Sequence, residues 1–116
     1  MKERRFQRLI ETVRAEVEDI LRTGIADPRL GFITITRVKL SPDATHAFIF
    51  YSTLGTDDER RQSQEAVESA KGYARRLLAE RMSLRTVPEL HFIHDTSIEE
   101  GEEVLRIMRN LGRNDG

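Results

Sequence analysis

The stretch His46-Ala47-Phe48-Ile49-Phe50-Tyr51-Ser52 constrains the chain most, because it reads as a β-strand with apolar residues on both faces. Side chains alternate across a strand, so Ala47, Ile49 and Tyr51 share one side while Phe48 and Phe50 share the other. If helices cover only one face of the sheet, the second exposes an aromatic patch, suited to internal packing or to a partner. The run Phe32-Ile33-Thr34-Ile35-Thr36-Arg37-Val38-Lys39-Leu40 precedes it, rich in the β-branched residues that favour strands. Ser41-Pro42-Asp43-Ala44 supplies the turn between them, with proline at the second position. The earlier strand changes parity: Ile33 and Ile35 lie on one face, Val38 and Leu40 on the other. That pattern predicts a β-bulge near Thr36 or Arg37.

Helical segments flank this pair. Residues 2–23 place Phe6, Leu9, Ile10, Val13, Val17, Ile20 and Leu21 on one face, and Gly24 with Asp27-Pro28 ends the segment. After Gly55, the acidic Asp57-Asp58-Glu59 opens a second helical region that runs to about Met82 with Gly72 inside it. Pro88 then fits the first residue or edge of a strand, and Leu90-His91-Phe92-Ile93-His94 is the third strand. Thr96-Ser97-Ile98-Glu99 reads as a capping box for a last helix over about 98–111, and residues 112–116 form a short polar tail. The order is α-β-β-α-(Gly)-α-β-α, an α+β class expected as one compact domain over residues 1–111.

A chain of 116 residues is long enough for a real core. It has no cysteine, which removes disulfides, thiolate nucleophiles and cysteine-based zinc sites. No apolar run resembles a signal peptide or a membrane span, so a cytoplasmic protein is expected. The net charge of −1 argues against nucleic acid until its distribution is considered. Residues 1–8 carry +3, residues 71–86 carry +4, and residues 89–103 carry −6. Segregation of this kind permits a local basic face on a neutral chain.

That face centres on Gly72. With Lys71 set at 0° on a helical wheel, Arg75 falls at about 40°, Gly72 at about 100° and Arg76 at about 140°. Ala70, Ala74, Leu77 and Leu78 take the opposite, buried arc. A glycine inside a helix costs about 1 kcal/mol against alanine. It is explained by simple tolerance, or by a kink that lets a sugar-phosphate backbone approach. Tyr73, at about 200° and expected to be half-buried, is the only aromatic nearby. Chemistry of other kinds finds no support. His91 and His94 are three apart on a strand and point to opposite faces, and His46 has no evident carboxylate partner, so no metal is assigned. Glu99, Glu100, Glu102 and Glu103 are explained by a helix start. No phosphate loop, dinucleotide fingerprint or metalloprotease helix occurs, and neither an enzyme nor a cofactor is expected.

Several strings, taken together and in order, resemble bacterial ribosome-binding factor A. They are Asp27-Pro28-Arg29-Leu30, then Ile33-Thr34-Ile35-Thr36-Arg37-Val38, then Ser41-Pro42-Asp43 with Ala47. Ala70-Lys71-Gly72-Tyr73 with Arg75 and Leu78, Leu84-Arg85-x-x-Pro88-Glu89-Leu90-x-Phe92, and Asp95-x-Ser97-Ile98-Glu99-x-Gly101 complete the match. The resemblance implies a type II KH-like fold in which Ala70-Lys71-Gly72 replaces the usual Gly-x-x-Gly loop with a kink between two helices. It also implies binding to the maturing small ribosomal subunit during late processing of its RNA, with importance in the cold. The RNA-binding candidates are Arg4, Arg5, Arg8, Lys71, Arg75, Arg76, Arg81 and Arg85, with Ala70 and Gly72 at the kink. Other assembly factors are possible partners, a monomer is expected when free, and no membrane is involved. The alternatives are a protein–protein adapter acting through Phe48 and Phe50, or a general single-stranded RNA-binding module.

Overall fold

A computed structural model describes residues 3–82, 87–95, 106–107 and 109–111. The elements are helix α1 (Glu3–Asp19), continued by a π-helical turn (Ile20–Gly24), strands β1 (Ile33–Leu40) and β2 (His46–Thr53), helix α2 (Asp57–Met82) and strand β3 (Glu89–His94). Residues 83–86, holding Leu84 and Arg85, lie outside the described residues, as do Thr96-Ser97-Ile98-Glu99 and the polar tail.

The sheet has the order β1-β2-β3, with β1–β2 antiparallel and β2–β3 parallel. The turn between β1 and β2 closes through the Ala44 amide donating to Ser41 O at 2.8 Å. Ala44 takes φ 61°, and Asp43 Oδ1 braces the loop by accepting from Ser41 Oγ, Thr45 N and Thr45 Oγ1. The bulge falls between Ile35 and Arg37, where the register shifts by one residue. Its effect is the one the parity change requires: Ile35, Val38 and Leu40 all join one core, with Ile33 packed against it. Arg14 of α1 donates to Ile35 O at 2.9 Å beside the bulge.

Helices α1 and α2 cover the face bearing Ala47, Ile49 and Tyr51, contributing Val13, Val17, Val67, Ala74 and Leu78. The opposite face is also covered. Phe48 and Phe50 are each 1% exposed and pack with Ile93, Ile107 and Leu111. The described residues of the C-terminal segment, 106–107 and 109–111, are helical. The aromatic patch expected as a possible adapter surface is therefore interior. Burial of a Phe side chain is worth about 1.5–3 kcal/mol, which favours closing this face internally over leaving it to a partner.

Helix α2 opens on a capping box at Thr56-x-x-Glu59: the Glu59 amide donates to Thr56 Oγ1 and the Thr56 amide to Glu59 Oε1. The Glu59 carboxyl is held below its usual range by those bonds, the Thr56 amide first. The helix then runs 26 residues without interruption. The two helical stretches expected on either side of Ala70–Gly72 run on as one continuous element. Ser63, Ala66, Val67, Ala74 and Leu78 form one buried stripe on both sides of Gly72. The packing of that stripe outweighs the roughly 1 kcal/mol that one glycine costs. Ser63 Oγ joins the stripe to the loop before β1, accepting from Gly31 N at 3.1 Å and donating to Arg29 O at 3.3 Å. Asp27 fixes the same loop by accepting from the Arg29 amide and guanidinium.

Candidate nucleic-acid interface

On α2 the sequence places Lys71, Gly72, Tyr73, Arg75 and Arg76 on the side away from the buried stripe, and all but Lys71, which is half-buried, are exposed. A Cβ built on Gly72 meets nothing within 4 Å among the described residues, and this glycine is not among those with positive φ. Among the described residues, neither packing nor backbone conformation demands a glycine here. The surface above it is open.

The side chains around it are individually held. Arg75 donates from Nε to Pro88 O at 3.2 Å and from Nη2 to Val87 O at 3.0 Å, capping the chain just ahead of β3. A guanidinium has five N–H donors, so this one is oriented while keeping donors for an anion. Lys71 pairs with Glu68 at 2.6 Å. Tyr73 is 46% exposed, close to the half-burial the helical wheel implied, with the Arg76 guanidinium 5.6 Å from its ring centroid. The i,i+3 spacing of Tyr73 and Arg76 was the available signal for this stacked pair.

The remaining candidates lie elsewhere. Arg81 donates from Nη1 to Asp19 at 2.6 Å and to Glu16 at 3.4 Å, tying α2 to α1. Hydrogen bonding from Arg81, then from Arg22, holds the Asp19 carboxyl below its ordinary value. Arg4, Arg5 and Arg8 are exposed on α1 and carry no ion pair among the described residues. They do not join the Gly72 surface. Asp19 meets Arg81, while a Cβ on Gly24 would lie 3.0 Å from Leu77, so the two helical segments pass in opposite senses. At 1.5 Å per residue, Arg8 stands about 17 Å before that crossing and Lys71 about 15 Å on its other side. Arg85 lies outside the described residues, and the structure therefore gives two separated basic areas.

The histidines sort as their spacing requires, with one correction. His91 stacks on Phe48, and His94 Nε2 lies 3.1 Å from Thr53 Oγ1 beside Tyr51, on the other face. His46, however, does have a carboxylate nearby: Glu89 Oε2 is 3.8 Å from its Nδ1. Parallel pairing of β2 with β3 sets His46 opposite Glu89, a long-range register that spacing along the chain does not disclose. Burial, above all, pushes the His91 imidazole toward its neutral form. Among the described residues, no helix is long and apolar enough to cross a membrane.

Comparison with known proteins agrees with this architecture. The family model described as Ribosome-binding factor A matches residues 5–108. A ribosome-binding factor A of Thermomicrobium roseum is 43% identical over 107 residues, covering 92% of this chain and 83% of that protein. One from Azoarcus sp. is 38% identical over 111 residues, covering 96% and 88%. The solution NMR structure of a Thermotoga maritima protein assigned to ribosome-binding factor A superposes with a TM-score of 0.70 at 34% identity, over 85% of this chain and 94% of that one. The crystal structure from Thermus thermophilus, at 21% identity and a TM-score of 0.67, shares the fold over 77% of this chain and 93% of its own. By family model, sequence and fold, the chain belongs to the ribosome-binding factor A family.

Proposed function

We propose that this chain is a non-enzymatic assembly factor that binds the small ribosomal subunit through its RNA and assists late maturation and processing of that RNA, including in the cold. It acts in the cytoplasm and is a monomer when free, and other assembly factors are further partners. A Thermus thermophilus ribosome-binding factor A model has been fitted into a cryo-electron microscopy map of a 30S complex, which supports this partner.

The observation that carries the RNA-facing reading is the open space over Gly72, bordered by Lys71, Arg75 and Arg76. A sugar-phosphate backbone can approach such a helix to a distance any side chain would forbid. The oriented Arg75 and the exposed Arg76 then supply charge-assisted bonds to phosphate. Arg4, Arg5 and Arg8 give a second basic area beyond the helix crossing, so docking is at two points. Arg81 acts by holding α1 to α2. Bonds to phosphate confer position without base identity, so recognition is of RNA shape.

The test is co-sedimentation with purified small subunits, large subunits and unstructured oligonucleotides across a salt series. Binding to small subunits is expected to fall steeply with salt. Lys71→Glu/Arg76→Glu is expected to weaken it and to reduce the salt slope by about 0.7–0.9 for each phosphate that is no longer neutralised. Unchanged binding by a folded double variant overturns the assignment. The exposed Tyr73–Arg76 stack favours a second reading, stacking on an unpaired base. That reading is selected if arbitrary oligonucleotides bind as tightly as the subunit.

A further inference from the structure

We propose that His46, Glu89 and His91 form a binding site for a borderline divalent metal ion, with zinc as the fitting member of that class. The three side chains stand at the start of the parallel β2–β3 pair, where His46 is opposite Glu89 and Phe48 is opposite His91. Their donor atoms all lie within 4.8 Å of one another. His46 Nδ1 is 2.9 Å from His91 Nε2 and 3.8 Å from Glu89 Oε2.

Two ligands bonded at about 2.0–2.1 Å in a tetrahedral arrangement stand about 3.3 Å apart. The two separations from His46 Nδ1 bracket that value and the His91–Glu89 pair lies within 4.8 Å, so an ion is enclosed once the exposed Glu89 carboxylate swings inward by at most about 1.5 Å. The frame needs no rearrangement. The Glu89 amide donates to Thr45 O at 2.9 Å, locking the register at the site itself. The His91 ring is stacked on Phe48, with centroids 5.1 Å apart and planes 17° from parallel. The His46 side chain is 13% exposed, whereas Glu89 is 62% exposed and leaves a side open to water.

The donor set selects the ion. Two imidazoles and one carboxylate are unsuited to calcium or magnesium, which take oxygen ligands, and the absence of thiolate disfavours soft ions. Two histidines with one glutamate and an open position is an arrangement zinc accepts. A bare imidazole–imidazole hydrogen bond would account for His46 and His91 alone. Convergence of the third donor from the neighbouring strand is what the hydrogen bond leaves unexplained.

The test uses the full chain with zinc in isothermal titration calorimetry and with cobalt in visible spectroscopy. The expected result is one equivalent of zinc bound and the intense d–d absorption of low-coordinate cobalt. His91→Ala and Glu89→Gln are each expected to weaken zinc by about tenfold or more. His94→Ala, on the opposite face of the sheet, is expected to bind as the parent does. Glu89→Gln alters an exposed side chain and keeps the fold, so its outcome is not confounded by unfolding. The proposal is overturned if zinc does not bind, if Glu89→Gln and His91→Ala bind it unchanged, or if cobalt retains the weak spectrum of its hexaaqua ion.

Discussion

Replacing Gly72 by alanine should move stability and function in opposite directions. The added methyl meets no atom of the described residues within 4 Å, and the position has ordinary helical backbone angles. Alanine then removes the propensity penalty of an exposed mid-helix glycine, a gain of about 0.5–1 kcal/mol. For a domain of this size that raises Tm by about 2–4 °C. The same methyl stands where a phosphate group would approach the helix. Displacing one phosphate hydrogen bond, worth about 1–1.5 kcal/mol, weakens binding to small subunits by about tenfold. Thermal unfolding by circular dichroism and subunit co-sedimentation on the same preparation measure both effects. A variant that is stabilised yet binds as the parent does would refute the view that an external partner explains this glycine. A destabilised variant would refute the premise that nothing within the molecule requires it.

Three further outcomes are expected. Ser63→Ala should cost about 0.5–1.5 kcal/mol in urea unfolding, the net worth of a lost hydrogen bond, because the buried hydroxyl that ties α2 to the loop before β1 is removed while the exposed Gly31 amide can turn to water. Phe50→Ala should cost about 3–5 kcal/mol, as for a core aromatic; a variant of near-parental stability that failed only to bind a protein partner would restore the adapter reading. The Asp43 carboxyl, held down to about 2 chiefly by the hydroxyls of Ser41 and Thr45, should titrate far below an ordinary aspartate by NMR. Because its folded value is depressed, its contribution is present above the unfolded value of 3.8 and is lost as pH falls toward 2. Asp43→Asn should flatten that part of the stability profile.

What could be read from the sequence was local. The Ser41–Ala44 turn, the bulge after Ile35 and the apolar stripe of α1 each depend on neighbours a few residues apart, and period alone reveals them. What could not be read depended on partners brought from afar. A helical wheel gives Arg81 a direction, but only the packing of α1 on α2 supplies Asp19 and Glu16 to receive it. Phe48 and Phe50 were legible as apolar, while the identity of their cover was not, because Ile107 and Leu111 come from the far end of the chain. Gly72 was legible as an anomaly. The helix runs on through it as one element, because local propensity is weaker than the burial on either side of it.

The two-sided burial of β2 also sets a clock on synthesis. Strands β1 and β2 pair as a local hairpin, whereas β3 must close a parallel pairing across the whole of α2, and Leu111 follows Phe50 by about 60 residues. At about 5–20 residues per second, the Phe48/Phe50 face waits roughly 3–12 s for its cover while the chain is still being made. Long-range closure of this kind is also intrinsically slower than hairpin formation. A nascent chain stalled in that interval presents two bare aromatic rings on a formed hairpin, the surface that a chaperone would hold or another nascent chain would stick to.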